Sequence, residues 1–170
     1  MKNTKLFILS GLPFSGKSTL LKSISELTDI KTISFDTFWK ELEQNPIEKD
    51  KLSFEYLTEI IDERIAQLLR DGDSVMYDSL NDTPDQRERL SNIAEDANAK
   101  CITIYLDTPL EIIMSRRLEN TKSMERHLVD DENFDKSIKK FVVPTEDVLK
   151  FRYDDDIALW IKESLNEYLK

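Results

Sequence analysis

The sequence predicts one α/β domain over residues 1–170, with a mostly parallel sheet of five strands and helices on both faces. Two observations support this fold class. Short apolar runs alternate with segments of helical periodicity along the 170-residue chain, which is typical of repeated strand–helix–strand units. Helix-start signals also follow directly after two of the apolar runs. No internal repeat, linker or low-complexity stretch divides the sequence, so we expect a single domain.

Five apolar runs have the length and composition of strands. They are Lys5–Ser10, Thr32–Phe35, Ser74–Tyr77, Cys101–Leu106 and Val148–Tyr153. Between them, Lys17–Leu27 has helical composition, and apolar residues recur at helical spacing from Leu57 to a helix end at Gly72. The apolar face of a last helix is predicted at Ile157, Ile161, Leu165 and Leu169, with Trp160 beside them.

The residues after the third and fourth strands carry matching helix-start signals. Thr83 and Thr108 occupy predicted N-cap positions, and each is followed by a proline at the first helical position. Gln86 and Glu111 occupy the capping-box position three residues after each threonine. The order of strand, cap and helix is therefore repeated.

The composition is typical of a soluble globular protein, with 39% hydrophobic and 34% charged residues. The formal net charge of −10 disfavours broad binding to duplex nucleic acid, which depends on many Lys and Arg contacts to phosphates. The apolar run Leu6–Leu9 is too short for a signal-peptide core or a membrane span. We therefore expect a cytoplasmic protein without a membrane partner.

The single cysteine and the single histidine carry little functional signal. Cys101 cannot form an intrachain disulfide or a cysteine-based metal site alone, and we expect it to be buried in a strand. His127 lies in a charged stretch and is expected at the surface.

The segment GLPFSGKS at residues 11–18 has the G-x-x-x-x-G-K-S spacing of a phosphate-binding P-loop. Its glycines let the backbone turn with N–H groups directed inward, and the following helix presents its positive end to the same phosphates. Lys17 is expected to reach the β- and γ-phosphates, and the Ser18 hydroxyl to bind Mg²⁺. The predicted nucleotide-binding residues in this segment are Gly11, Phe14, Ser15, Gly16, Lys17, Ser18 and Thr19.

The distribution of glycine supports this interpretation of the loop. The chain contains three glycines, and two of them are Gly11 and Gly16. A predicted strand precedes the loop and a predicted helix follows it, which is the context that the motif requires. We therefore predict that the chain binds a nucleoside triphosphate.

Other sequence features indicate which class of P-loop protein this is. A GTPase needs a guanine-reading segment of the Asn-Lys-x-Asp type, and the sequence has none. A large motor ATPase needs more chain and a hydrophobic run that ends in paired acidic residues, whereas Val75–Tyr77 ends in the single acid Asp78. These observations favour a small kinase that uses ATP and Mg²⁺.

Two carboxylates follow predicted strands at the carboxyl edge of the sheet, where parallel α/β folds bind ligands. Asp36 is placed to accept the proton of an attacking hydroxyl or to orient it; alternatively, it only caps a helix that starts at Thr37. Asp78 is a candidate for contact with a Mg²⁺-bound water or with the acceptor; alternatively, it is a loop carboxylate. Asn81 and Asp82 fit turn residues.

Cationic residues follow the fourth strand. Arg116 and Arg117 lie on the predicted helix, and Lys122 and Arg126 follow in a polar stretch. A mobile segment that folds over ATP can bring guanidinium groups onto the transferring phosphate and exclude water. Alternatively, these cations only stabilise the end of a solvated helix. We predict that at least one of the arginines is functional.

The order of these features resembles the AAA_33-type P-loop kinases, a group to which polynucleotide 5′-hydroxyl kinases are related, over nearly the whole chain. The resemblance implies an adenylate-kinase-like fold with a helical lid at about residues 117–143. The matching stretches are Gly11–Leu20, Asp36, Asp78 with Asn81, Arg87, Leu106–Pro109 with Arg116, and Phe141–Glu146.

The same resemblance implies roles for individual residues. Lys17 and Arg116 would be catalytic, with Asp36 as the general base. Ser18 and Asp78 would serve Mg²⁺. The implied acceptor-binding residues are Asp36, Asp78 and Asn81, and the implied lid arginines are Arg116 and Arg126; Trp39 is added as an acceptor-binding candidate from its own chemistry, as described next.

The chain departs from the family pattern mainly on the acceptor side. Phe14 stands where the family loop usually has glycine, and Asn120 replaces a second lid arginine. Trp39 replaces an arginine that grips substrate phosphate in polynucleotide kinases. Trp39 is placed either to stack on a base or sugar or to pack in the lid core. The segment after the third strand, Asp78–Asn81, is one residue longer than usual.

The leading functional expectation is transfer of the γ-phosphate of ATP to a hydroxyl, with a polynucleotide 5′-hydroxyl end or a nucleotide as the first-choice acceptor. One alternative keeps the chemistry and makes the acceptor a small metabolite. Another is a regulatory switch that binds ATP and hydrolyses it slowly.

Overall fold

Five parallel strands form the centre of the computed structural model, which describes residues 4–79, 81–124 and 129–169. The strands lie in the order β2-β3-β1-β4-β5, and every neighbouring pair is parallel. Their bounds are β1 Lys5–Ser10, β2 Lys31–Ser34, β3 Val75–Asp78, β4 Lys100–Asp107 and β5 Val148–Arg152. The predicted five-stranded parallel sheet is confirmed.

Helices connect the strands and cover both faces of the sheet. They are α1 Lys17–Leu27, α2 Phe35–Glu43, α3 Phe54–Arg70, α4 Pro84–Asp96, α5 Leu110–Ser123, α6 Asp131–Lys140, α7 Ile157–Trp160 and α8 Asn166–Leu169. A 3₁₀ turn, Lys49–Lys51, precedes α3, and a π-helical segment, Ile161–Leu165, joins α7 to α8.

Alternate residues of β1 pack against different helices, because successive side chains of a strand point to opposite faces. Leu6 and Ile8 belong to a core with α3 and α4, whereas Phe7 and Leu9 belong to a core with α1 and the C-terminal helices. All six residues of β1 are buried. The central strand is therefore covered on both faces, as is typical of parallel sheets.

The second strand ends one residue earlier than predicted, because α2 already begins at Phe35. The Ser34 hydroxyl accepts a hydrogen bond from the backbone N–H of Thr37 at 3.4 Å, so Ser34 is the N-cap residue. Asp36 lies in the first turn of α2. The alternative in which Asp36 caps a helix starting at Thr37 is therefore wrong.

One of the two predicted capping boxes is present. Thr83 caps α4, its side chain accepts from the backbone N–H of Gln86, and the reciprocal Gln86 bond is also formed. The predicted cap at Thr108 is wrong. Helix α5 begins at Leu110 with Pro109 at the N-cap position and without a side-chain cap bond, because the Thr108 hydroxyl is used elsewhere, as described below.

The last predicted helix is interrupted by the π-helical segment. Ile161 and Leu165 are buried as predicted, but Leu169 is exposed. A π turn contains more residues than an α turn and rotates the following side chains out of register. The apolar face therefore ends before Leu169.

Cys101 lies in β4 as predicted but is half-buried rather than buried. Burial raises the pKa of its thiol to about 12. Across residues 4–79, 81–124 and 129–169, no helix has both the length and the apolar character that a membrane span requires.

The Thr83 cap provides a test of the fold that is independent of function. Thr83→Ala removes the side-chain acceptor and should lower the free energy of unfolding by about 1 kcal/mol, measured by urea denaturation. Thr121→Ala, at an exposed threonine within α5, is the control and should not destabilise. Equal stabilities of the Thr83 variant and the wild type would contradict the assigned cap.

Candidate active site

The predicted P-loop connects β1 to α1 at the carboxyl edge of the sheet. Gly16 has a φ of 110°, a left-handed conformation that favours glycine, and it is the N-cap residue of α1. It provides no side-chain cap bond, and the first turn of α1 contains no acidic residue. Neither the N-cap residue nor the first turn of α1 therefore provides an acid or a side-chain cap for the positive end of this helix, which suits a phosphate group.

Gly11 is required by close packing inside the loop. A Cβ atom at this position would lie 2.7 Å from the Ser15 hydroxyl oxygen. That hydroxyl is buried and has no hydrogen-bond partner among the described residues. Phe14, between them, has a φ of 66°, a left-handed conformation that is uncommon for a bulky residue. The loop thus keeps the P-loop shape although Phe14 replaces the family glycine.

Two side chains, one from the β4–α5 connection and one from α5, hold the carbonyl groups of the loop. The Thr108 hydroxyl donates to the carbonyl oxygen of Ser15 at 2.9 Å. The Arg116 Nη1 donates to the carbonyl oxygens of Ser15 and Phe14 at 3.1 and 3.2 Å. We refer to Thr108 and Arg116 as the carbonyl clamp. Because C=O and N–H point in opposite directions in a trans peptide, the clamp directs the Gly16 N–H away from α5.

Lys17 folds back over the loop that contains it. Its ammonium group donates to the carbonyl oxygens of Gly11 at 2.6 Å and Leu12 at 3.1 Å. Burial lowers the pKa of this ammonium group. Three carboxylates oppose that shift, those of Asp78, Asp82 and Asp36.

Asp78 is the last residue of β3 and pairs in register with Leu9 of β1 and Ser34 of β2. Its carboxylate accepts a hydrogen bond from the Ser18 hydroxyl at 3.2 Å. Burial raises the pKa of Asp78, whereas the Lys17 charge and the Ser18 hydrogen bond lower it. The charge of Asp36, from the start of α2, also acts on Asp78. The structure thus brings these predicted site residues together.

Asn81 braces the sheet edge through its hydrogen bonds. Its side-chain Nδ2 donates to the carbonyl oxygen of Leu9 at 2.8 Å. Its backbone carbonyl oxygen accepts hydrogen bonds from the Ser10 hydroxyl and from Arg87 Nη1. Its side-chain oxygen is buried without a hydrogen-bond partner in the described part of the chain. These contacts account for the burial of Asn81, and its predicted contact with an acceptor stays a prediction.

The sequence predicts a turn at Asp82, and in the structure its carboxylate interacts through charge with Lys17. Only 6% of its surface is exposed, and burial raises the pKa of its carboxyl group, with the Lys17 charge as the largest opposing effect. The available signal was the Thr83 cap. Thr83 caps the helix that follows Asp82. The segment from Asp78 to Asp82 is therefore short, and Asp82 stays close to the edge of the sheet.

The predicted lid contains α6 and the end of α5. Arg117 donates to the carbonyl oxygen of Val129 at 3.1 Å and to Asp131 at 2.6 Å, and its guanidinium lies 4.4 Å from the centre of the Phe134 ring. Arg117 therefore joins α5 to α6. Arg126, with His127, lies outside the described residues.

Trp39 is half-buried on α2 and stacks on Phe35, with ring centroids 6.2 Å apart. Both rings pack against the core that contains α3. The alternative that placed Trp39 in the core of the lid is therefore corrected, because Trp39 packs beside α3. Its predicted stacking on a substrate stays a prediction.

A cavity of about 410 Å³ lies next to the carbonyl clamp, at the carboxyl ends of β4 and β5. Asp107, Pro109, Lys150, Arg152 and Tyr153 line it, and Asp107 and Lys150 form an ion pair at 2.7 Å. Since Thr108 lies between two lining residues and bonds the loop, this cavity adjoins the P-loop.

The model of the AAA_33 family, described as an AAA domain, matches residues 6–144. L-seryl-tRNA(Sec) kinase from Methanococcus maripaludis is 29% identical over 169 residues, covering 97% of this chain and 65% of that kinase. This chain therefore spans less than two thirds of the length of that relative.

Solved structures share the fold at low sequence identity. Chaetomium thermophilum Kti12, in complex with ADP-AlF3, has a TM-score of 0.74 at 18% identity, over 97% of this chain and 99% of that one. Mycobacterium tuberculosis APS kinase CysC, in complex with AMPPNP and APS, has a TM-score of 0.61 at 16% identity, over 98% of both chains.

The carbonyl clamp predicts an effect on nucleotide affinity. Thr108→Val removes one hydrogen bond to the loop and should weaken ATP binding about 5- to 10-fold, equivalent to about 1 kcal/mol, measured by calorimetry. Thr108→Ser keeps the hydroxyl and is the matched control. An unchanged affinity in the valine variant would show that the clamp does not shape the loop.

The burial of Asp82 predicts a change in stability with pH. Since its pKa is raised in the folded state, the charged carboxylate costs stability at neutral pH, and this cost disappears as pH falls below the unfolded-state pKa. Asp82→Asn should raise the melting temperature at pH 7 by about 2 °C, with a smaller gain at pH 4. Asp85→Asn, at an exposed position of α4, should show no such gain. A lower melting temperature for the Asp82 variant at pH 7 would contradict this prediction.

Proposed function

Because this chain belongs to the AAA_33 family of AAA domains, we propose that it is an ATP-dependent kinase that transfers the γ-phosphate to a hydroxyl acceptor. The observation that carries the proposal is the convergence of Lys17, Asp36 and Asp78 beside the uncapped start of α1. A phosphate-binding loop alone accounts for binding, whereas carboxylates at the same edge add groups that act on an acceptor hydroxyl.

The donor side of the site suits ATP. The triphosphate would lie against the Gly16 end of α1, where the buried Ser15 hydroxyl has no hydrogen-bond partner among the described residues. Lys17 would exchange the carbonyl oxygens of Gly11 and Leu12 for phosphate oxygens. The cavity beside the clamp would take the base and ribose. The relative from M. maripaludis, a kinase by name, supports the use of a nucleoside triphosphate.

Ser18 and Asp78 fit a magnesium site. Hydroxyl and carboxylate oxygens are ligands that Mg²⁺ prefers, directly or through water, and these two groups already lie within hydrogen-bond distance of each other. No group of three His, Cys, Asp or Glu side chains suited to a metal ion occurs in the described residues. The ion would therefore depend on the nucleotide phosphates as well. When bound, it neutralises charge on the phosphate oxygens.

The reaction that we propose is an in-line displacement at the γ-phosphorus. The acceptor oxygen forms a bond to phosphorus while the bond to the β–γ bridging oxygen breaks, and ADP leaves. Asp36, in the first turn of α2, accepts or orients the hydroxyl proton. Arg116 Nη1 lies 3.6 Å from the Cβ position at Gly16; to stabilise the transferring phosphate, as we propose, it would exchange the carbonyl oxygens of Phe14 and Ser15 for phosphate oxygens. We also propose Arg126 as a second arginine that binds the nucleotide.

The acceptor that we propose first is a hydroxyl linked to nucleic acid or a nucleotide, in a cytoplasmic setting. The relative from M. maripaludis is named for a tRNA-bound substrate, which supports this choice alongside a polynucleotide 5′ end. The net charge of −10 argues for a local contact rather than broad duplex binding. The second candidate acceptor is the hydroxyl of a small metabolite. It is supported by Trp39, which stands where polynucleotide kinases have an arginine that binds the substrate phosphate.

Label transfer from γ-labelled ATP tests the proposal. The protein is incubated with Mg²⁺ and 5′-hydroxyl oligonucleotides, aminoacylated tRNA, nucleosides or a metabolite pool, and the label is followed. Asp36→Asn should reduce transfer at least 100-fold while changing ATP affinity less than threefold. Glu41→Gln, at an exposed position of the same helix, is the control. Equal release of free phosphate with and without every acceptor would favour an ATP-hydrolysing switch instead.

A further inference from the structure

Helix α5 carries an exposed apolar row that nothing in the described part of the chain covers. Leu110, Met114 and Leu118 recur at every fourth residue, and 49%, 45% and 60% of their surfaces are exposed. We call these three residues the α5 ridge. Exposed apolar residues scattered singly are normal, whereas a row at i, i+4 and i+8 forms one continuous strip along a helix. The α5 ridge is therefore a candidate docking surface.

The α5 ridge lies on the side of the helix that faces away from the phosphate loop. Arg116, which bonds the carbonyl oxygens of the loop, is two positions from both Met114 and Leu118, and residues two apart on a helix point in nearly opposite directions. The buried residues of α5 are Ile113 and Asn120. Helices are stabilised mainly by packing an apolar face, yet most of the large apolar side chains of α5 are exposed. A partner on the ridge would complete this packing without blocking the loop.

Two charged side chains at the ends of the α5 ridge indicate what its partner is. Glu111 follows Leu110 in the first turn of α5, and Lys122 continues the four-residue spacing beyond Leu118 in the last turn. Both are exposed, and neither forms an ion pair with a residue that the structure describes. Glu119, nine positions after Leu110, points to the opposite side of the helix. The ridge is therefore flanked by an acid at one end and by a base at the other, a pattern that is complementary to itself when it is turned end to end.

An antiparallel pair of α5 helices would use this complementarity. In such a pair, the first turn of one helix lies beside the last turn of the other. Glu111 of each copy would then meet Lys122 of the other, because the two side chains flank the ridge on the same side of the helix. A row of residues at four-residue spacing also fits the groove beside an identical row, which is the commonest packing of helices in globular proteins. A parallel pair would instead place like charges at the same level.

We propose that two copies of this chain associate through the α5 ridge in an antiparallel, twofold-symmetric dimer, in which Glu111 of each copy pairs with Lys122 of the other. Interfaces of stable complexes bury about 1,600 Å² in total, which is more than one pair of helix faces supplies. The dimer is therefore weak, with a dissociation constant in the micromolar range. Its formation requires neither a nucleotide nor an acceptor, so the inference does not depend on the proposed function.

Sedimentation equilibrium of the full chain, at concentrations up to about 200 μM, tests the association. We expect Leu118→Gln to weaken it at least tenfold, because an apolar side chain is lost from each copy of the interface. Leu27→Gln, at the end of α1 where the leucine is 57% exposed, is the matched control and should leave the association unchanged. Thermal melting verifies that both variants are folded. A wild type that stays monomeric, with the ridge free or used by a different protein, overturns the inference, and so do equal effects of the two substitutions.

Charge reversal tests the antiparallel arrangement. Glu111→Lys alone and Lys122→Glu alone each place like charges opposite one another in the dimer, and each should weaken self-association about tenfold. An equimolar mixture of these two variants should associate as well as the wild type, because both pairs of a mixed dimer again join opposite charges. Glu119→Lys, on the far side of α5, is the control for the added charge and should change nothing. A mixture that associates no better than either variant alone overturns the antiparallel dimer.

Discussion

The other charged side chains of this site are arranged around the ammonium group of Lys17. Lys17 has lost most of its contact with solvent, and burial alone would favour its neutral form. The fold compensates by placing three carboxylates around it, from the end of β3, the first turn of α2 and the loop before α4. Each of these carboxylates is in turn held near the sheet edge by a parallel strand or a helix start. The lysine and its counter-charges therefore depend on one another.

The loop that carries Lys17 also depends on a distant part of the chain. Thr108 and Arg116 reach the carbonyl oxygens of Ser15 and Phe14 across about a hundred residues of sequence. Arg116 lies on α5, whose next residue, Arg117, is joined to α6 through Asp131 and Phe134. Contacts therefore run from α6 through α5 to the phosphate loop. The predicted lid and the predicted nucleotide site share one helix in this way.

The features that could be predicted are those that depend on residues close to one another in the sequence. The P-loop spacing, the five strands and the Thr83 cap depend on neighbours in the chain, and each is present in the structure. Thr108 has the same local signal as Thr83, but its hydroxyl bonds Ser15, a partner 93 residues away.

Asp82 was missed for a related reason. Turn composition describes its neighbours in sequence, whereas its backbone carbonyl oxygen accepts a hydrogen bond from Val142, a partner distant in the chain. Spacing placed Asp36 at the correct edge, but whether it or Ser34 capped α2 depended on backbone geometry that composition does not determine.

The position of β1 at the centre of the sheet has a consequence for how the protein is made. β1 pairs with β3, about seventy residues later, and with β4, about ninety-five residues later. Contacts so distant in sequence form slowly, because long loops must close before they are stabilised. A nascent chain that ends before β4 has already produced the phosphate loop but lacks both clamp residues. Nucleotide binding should therefore be acquired only after β4 and the start of α5 have been synthesised, although the phosphate loop precedes both in the chain.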